Sequence, residues 1–191
     1  MVLEQIANLS AVQTASGFES QSFHQELIKY TGGIMARINL NQVVDYINST
    51  GPATRIYLGA DSIRYKVNRE WWAEYTVAVV VHLDGRHGCR IFGDVTQERD
   101  YDQRADRPTL RLMNEVYRVS EMYLALAPRV LDRDIEVHLD INPAEIAGSS
   151  CVISQAIGYI RGTCNVFPFV KPDAFAASYA ADRIARYGTT G

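Results

Sequence analysis

The hydrophobic pattern changes period partway along the chain, and that change restricts the folds open to it. From Arg55 the apolar residues recur at every second position, as a pleated strand with one buried face requires. In residues 55–62, Ile56, Leu58 and Ala60 share one face, and Tyr57, Gly59 and Asp61 the other. Residues 72–83 carry Tyr75, Val77, Val79 and Val81 at the same spacing, and residues 89–95 follow with Ile91 and Phe92. The short connection between them, Asp84-Gly85-Arg86-His87-Gly88, implies a hairpin. The period then lengthens to that of a helix. Leu112, Val116, Val119, Tyr123 and Leu126 form one stripe within residues 110–126. Residues 134–141 return to alternation, with Ile135, Val137, Leu139 and Ile141 inward and Glu136, His138 and Asp140 opposite.

Residues 150–161 read as a helix, 166–170 as a short buried strand, and 174–187 as an alanine-rich closing helix. A short amphipathic helix over residues 40–47 comes before the strands, with Asn39 placed as its N-cap. The order β-β-β-α-β-α-β-α predicts an α/β fold. Its core is a mixed five-stranded sheet, the first three strands antiparallel, with helices on both faces. The first ~30 residues, rich in Ser, Gln and Thr, are expected to form a loosely ordered or helical arm. The expected division is therefore an arm with the short helix over residues 1–53 and one domain over 54–191, and 191 residues suit that size.

Composition excludes several classes. A hydrophobic fraction of 47% is that of a globular chain, not a disordered one. No apolar run approaches the ~18–20 residues that cross a bilayer, and the start of the chain lacks the basic and apolar stretches of a secretory leader. Cys89, Cys151 and Cys164 lack CxxC spacing, so neither a disulfide framework nor a zinc site is expected, and a reducing, cytoplasmic setting fits. A net charge of −3 argues against strong, sequence-independent binding of nucleic acid, but not against a local basic patch beside an acidic centre.

Acids at the ends of strands carry the functional expectation. Asp61 is expected to close the first strand and Asp140 the fourth. If those strands are parallel neighbours, ~4.8 Å apart, both carboxylates emerge at the same end of the sheet, where open α/β sheets bind ligands. Two such carboxylates repel unless a cation lies between them, and oxygen-only ligation suits Mg²⁺ or Mn²⁺. On the long helix, Glu115 falls about 60° from the centre of the apolar stripe and can look inward, whereas Glu121 falls about 180° away, toward solvent. The closing helix offers Asp173 and Asp182, nine residues apart and so about half a turn out of phase. Only one of them is expected to face the site. Asp173 reads as an N-cap, and Asp182 lies within the helix, where aspartate is intrinsically disfavoured. Secondary candidates are Ser62, which follows Asp61, and His138, two residues before Asp140 on the same strand face. Lys171, Arg183 and Arg186 cluster near the last helix as candidate phosphate ligands.

This arrangement resembles the ribonuclease H-like superfamily and, within it, the YkuK family of bacterial proteins. The likeness covers roughly residues 35–187. It is carried by Asn39-Leu40-Asn41-Gln42-Val43-Val44-Asp45-Tyr46-Ile47, by Tyr57-Leu58-Gly59-Ala60-Asp61-Ser62, by Glu136-Val137-His138-Leu139-Asp140-Ile141, and most specifically by the stretch Lys171-Pro172-Asp173-Ala174-Phe175 through Ala181-Asp182-Arg183. Ala60 and Ile63 depart from it, standing where Thr and Gln are expected. The resemblance implies Asp61, Glu115, Asp140 and Asp182 as metal-holding and catalytic acids, with Asp173 in reserve. It also implies two Mg²⁺ or Mn²⁺ ions and nuclease activity on RNA, an RNA–DNA hybrid or structured nucleic acid. The alternative is a module of the same fold that binds nucleic acid or protein without catalysis. No glycine-rich phosphate loop suggests a nucleotide enzyme instead.

Overall fold

The computed structural model describes residues 38–84, 88–102, 107–144 and 147–181, with 178–180 as backbone only. They belong to the compact unit Arg37–Gly191. The expected N-terminal arm, together with Asp182, Arg183 and Arg186, lies outside the described residues.

The elements are α1 (Leu40–Asn48), β1 (Arg55–Val67), β2 (Glu70–His82), β3 (Cys89–Arg99), α2 (Thr109–Leu126), β4 (Ile135–Leu139) and α3 (Ile153–Cys164). Short 3₁₀ turns occupy Ala127–Arg129 and Gly148–Val152, and a π-helical turn spans Ala176–Ala181. The sheet has four strands in the order β3-β2-β1-β4. β1 and β3 flank β2 in antiparallel register, and β4 joins β1 in parallel. The chain is thus a mixed α/β fold with antiparallel opening strands.

Asn39 caps α1 as expected, its side-chain oxygen accepting from the Gln42 N–H at 3.3 Å. Val43, Val44 and Ile47 are its buried stripe. The three opening strands run longer than the apolar pattern alone suggests. β1 continues past Asp61 through Ile63, Tyr65 and Val67 and turns into β2 at Asn68 and Arg69, which have φ of +50° and +72°. Two successive left-handed residues make the mirror-image turn whose twist suits a two-residue hairpin. Arg64 and Lys66, on the other face of the extension, hide it from a reading based on apolar residues.

The expected fifth strand is reduced to one bridge, in which Phe169 pairs in parallel with His138 of β4. The Phe169 N–H donates to the Val137 carbonyl and its own carbonyl accepts from Leu139, both at 2.8 Å. Pro168 and Pro172 bracket the segment, and each lacks the donor a continuing ladder needs. Phe167, 71% exposed, points away from the core.

The sheet has two unequal faces. Ile56, Leu58 and Ala60 of β1, Val77, Val79 and Val81 of β2, and Val137 and Leu139 of β4 form the main core with α1, α2 and α3. On the other face Tyr57, Ala78 and Val80 pack against Ala176 and Ala181 of the π-helical turn. Small residues are required there. A Cβ on Gly59 would lie 2.3 Å from the Ala177 nitrogen and 2.6 Å from the Ala176 carbonyl carbon. Gly59→Ala is therefore expected to cost about 3 kcal/mol and to detach the turn from the sheet. Gly158→Ala, facing open space on α3, should instead add roughly 0.5–1 kcal/mol. Urea unfolding of both variants checks the contrast.

His138 locks the same turn. Only 1% exposed, it lies beside the rings of Tyr57, Phe175 and Phe169, and its Nδ1 accepts from the Ala176 N–H at 3.1 Å. Burial lowers its pKa from 6.5 to about 4. The unfolded chain takes up this proton first, so stability present above pH 6.5 is lost as pH falls toward 4. The loss amounts to roughly 3 kcal/mol. His138→Asn offers an acceptor in place of Nδ1 that does not titrate, and should flatten the pH profile of unfolding in that window.

Candidate active site

Parallel pairing between β1 and β4 runs from Ile56 opposite Ile135 to Ala60 opposite Leu139. The next residues on the two chains are Asp61 and Asp140, which the register therefore sets side by side. Asp61 does not close its strand, since β1 extends six residues further to Val67. What ends at Asp61 is the pairing with β4. That break opens a cleft of about 870 Å³, lined among others by Asp61, Glu115, Asp140, Arg111, Lys171 and Cys151.

The third acid comes from α2. Glu115 is 5% exposed, next to the stripe of Leu112, Val116 and Val119. Its Oε1 accepts from the Ser62 hydroxyl. Arg111, one turn earlier on the helix, donates to the Ser62 carbonyl at 2.9 Å and to the Ser62 hydroxyl at 2.6 Å, and stands 3.9 Å from Glu115 Oε1. Burial pushes the Glu115 carboxyl well above the usual carboxylate range. The Asp61 charge adds to that rise and Asp140 adds less, while Ser62 and Arg111 oppose it. Asp61, Glu115 and Asp140 thus share one electrostatic neighbourhood.

The start of α2 is fixed from a distance. Pro108 supplies no side-chain cap. Instead Asp102 accepts from the Leu110 N–H at 3.0 Å and the Arg111 N–H at 2.8 Å. Asp102 is held in turn by Asp100, which accepts its N–H at 2.9 Å, and by Arg64 of β1, which donates to its carbonyl at 2.7 Å. Arg64 also pairs with Asp100 at 2.6 Å. The helix that carries Arg111 and Glu115 is thereby tied to the strand that carries Asp61 and Ser62.

Of the expected site residues, Asp61, Glu115 and Asp140 line the cleft, Ser62 bonds to Glu115, and Lys171 pairs with Asp140 at 2.7 Å. His138 is buried beneath the π-helical turn, as described above. Asp173 is exposed in a turn, where its backbone N–H donates to the Val170 carbonyl at 2.9 Å. Arg107 and Arg111 also line the cleft and were not anticipated. The place of Arg111 four residues before Glu115 was the available signal.

The donor chemistry suits a hard divalent cation, since Asp61, Glu115 and Asp140 offer only carboxylate oxygens. Among the described residues, however, no three His, Cys, Asp or Glu side chains form a ready-made metal-binding group. Glu115 is turned to Ser62 and Arg111, and Asp140 to Lys171. All three cysteines are free, as the sequence suggests. No described helix is long and apolar enough to cross a membrane.

Comparison with known families gives one result: a family model described as ribonuclease H-like matches residues 39–186. No curated protein and no solved structure matches the chain.

A group whose folded pKa is raised stabilises the fold below its unfolded pKa, and that stabilisation is lost as pH rises through the folded value. Stability measured by urea unfolding should therefore decline as pH rises above 4.5, the ordinary value for Glu115. Glu115→Gln keeps an acceptor for Ser62 without titrating, and is expected to reduce that decline.

Proposed function

The chain belongs to the ribonuclease H-like family, and from that premise we propose that it is a divalent-metal-dependent nuclease of YkuK type. It would act in the cytoplasm on RNA, an RNA–DNA hybrid or structured nucleic acid. The observation that supports this reading best is the register of β1 and β4, which brings Asp61 and Asp140 together beside Glu115 in an open cleft. Asp61, Glu115 and Asp140, with Asp182 as fourth acid, would hold two Mg²⁺ or Mn²⁺ ions. The chemistry such ions supply when bound is activation of a water and neutralisation of charge on the leaving 3′-oxygen.

The chain's own residues would do the rest. Asp61 and Asp140 supply the central carboxylates. Ser62 and Arg111 hold Glu115 at the wall of the cleft, so that its carboxyl needs little reorganisation to serve the site. Arg107, Arg111 and Lys171 give the cleft three cationic side chains, which suit a phosphodiester despite the acidic net charge of the chain. Arg183 and Arg186, outside the described residues, are further candidate phosphate ligands.

A second reading is a non-catalytic binding module of the same fold. The pairing of Asp140 with Lys171 and of Glu115 with Ser62 supports it, because each acid has a partner within the chain. Cleavage of labelled single-stranded RNA, RNA–DNA hybrid and DNA with Mg²⁺ or Mn²⁺ separates the two. The nuclease reading expects cleavage that falls at least about 100-fold in Asp140→Asn and Asp61→Asn. Binding of these substrates without cleavage under either metal would establish the module.

A further inference from the structure

Lys171 is placed by the backbone and not by chance on the surface. Phe169 bridges His138 in parallel, which brings the segment that carries Lys171 against the end of β4. The ladder stops at that bridge, but the segment stays against the end of β4, where the Lys171 N–H donates to the Ile141 carbonyl at 3.1 Å. From there the Lys171 ammonium meets Asp140 Oδ1 at 2.7 Å. Asp140 is the less exposed partner, at 19% against 42% for Lys171. A short pair whose lysine backbone is bonded to the end of β4, in the lining of a cleft, is pre-organised in a way that exposed pairs of flexible side chains are not.

From this geometry we propose that Lys171 is a resident counter-cation of Asp140 that a divalent ion must displace, so that Lys171 sets the metal concentration at which the site loads. The inference rests on the metal-dependent reading above. Mg²⁺ binds carboxylate oxygen at about 2.0–2.1 Å, and an ammonium held on the same carboxylate would repel it. Lys171 also has somewhere to go. It lines the same cleft as Arg107 and Arg111, so a displaced ammonium joins the side chains that face a bound phosphate. Metal loading and the exposure of a phosphate-binding charge thus become one event.

The chain has three lysines, Lys29, Lys66 and Lys171, which makes the state of Lys171 directly readable. Lys66 lies over the Trp71 ring, 5.2 Å from its centroid, and serves as internal reference. Amine acetylation of the full-length wild-type protein, followed by mass spectrometry, should accelerate several-fold at Lys171 when Mg²⁺ is added, with Lys66 unchanged. In parallel, calorimetry with Mn²⁺ should show binding about tenfold tighter in Lys171→Met than in wild type. Arg107→Met, which removes a charge from the same cleft without touching the pair, should change affinity much less. Equal tightening in both variants, or Lys171 acetylation insensitive to saturating Mg²⁺, would overturn the displacement while leaving a metal site intact. Failure of wild type and Lys171→Met alike to bind either metal would overturn this proposal together with the metal-dependent reading.

Discussion

The parallel ladder between β1 and β4 is the constraint on which the site depends. It brings together two stretches of chain some eighty residues apart, and its last pair, Ala60 with Leu139, sets Asp61 beside Asp140. A shift of one residue in that register would separate the acids and turn every side chain of β4 to the other face, moving Val137 and Leu139 out of the main core. The same apolar burial that stabilises the sheet therefore enforces the juxtaposition of two like charges. Their mutual repulsion is a local cost carried by the core beneath them.

Around that ladder, two further sets of contacts convert a sheet edge into a cleft. The Arg64–Asp100–Asp102 chain of bonds ties the first turn of α2 to β1, which fixes the height of Glu115 against Ser62. On the opposite face Gly59 lets the backbone of Ala176 and Ala177 come against the strand, and His138 accepts from Ala176. The segment leading into that turn delivers Lys171 to Asp140. In each case a polar or small residue is explained by what packs against it: His138 acts as a buried lock for the closing segment, and Asp102 as the remote cap of a helix.

Much of this was legible in the residues. Alternation identified β1, β2 and β4 and their inner faces, and the stripe of α2 placed Glu115 at its border and Glu121 toward solvent, where it is exposed. The capping role of Asn39 was readable because an N-cap acts over three residues. The hairpin at Asn68 and Arg69 was not, since Arg64, which pairs with Asp100, and the exposed Lys66 masked the continuing alternation. The fifth strand was over-read, because apolar content marked residues 166–170 as buried while Pro168 within them and Pro172 just beyond limit pairing to a single bridge. Asp102 left no local trace, since it caps a helix that begins seven residues later.

The sequence by itself determined the order of strands and helices, the face each presents to the core, and which acids are available at the sheet's edge. Those properties arise from periodicity and local propensity, which act over a few residues. Only the tertiary structure decided that Asp140 is paired with Lys171, that Glu115 is buried against Ser62 and Arg111, and that His138 turns away to hold the closing segment. Apart from Arg111 and Glu115, one helical turn apart, those partnerships join residues tens of positions apart. Their geometry is set by strand register and close packing, which no local pattern encodes.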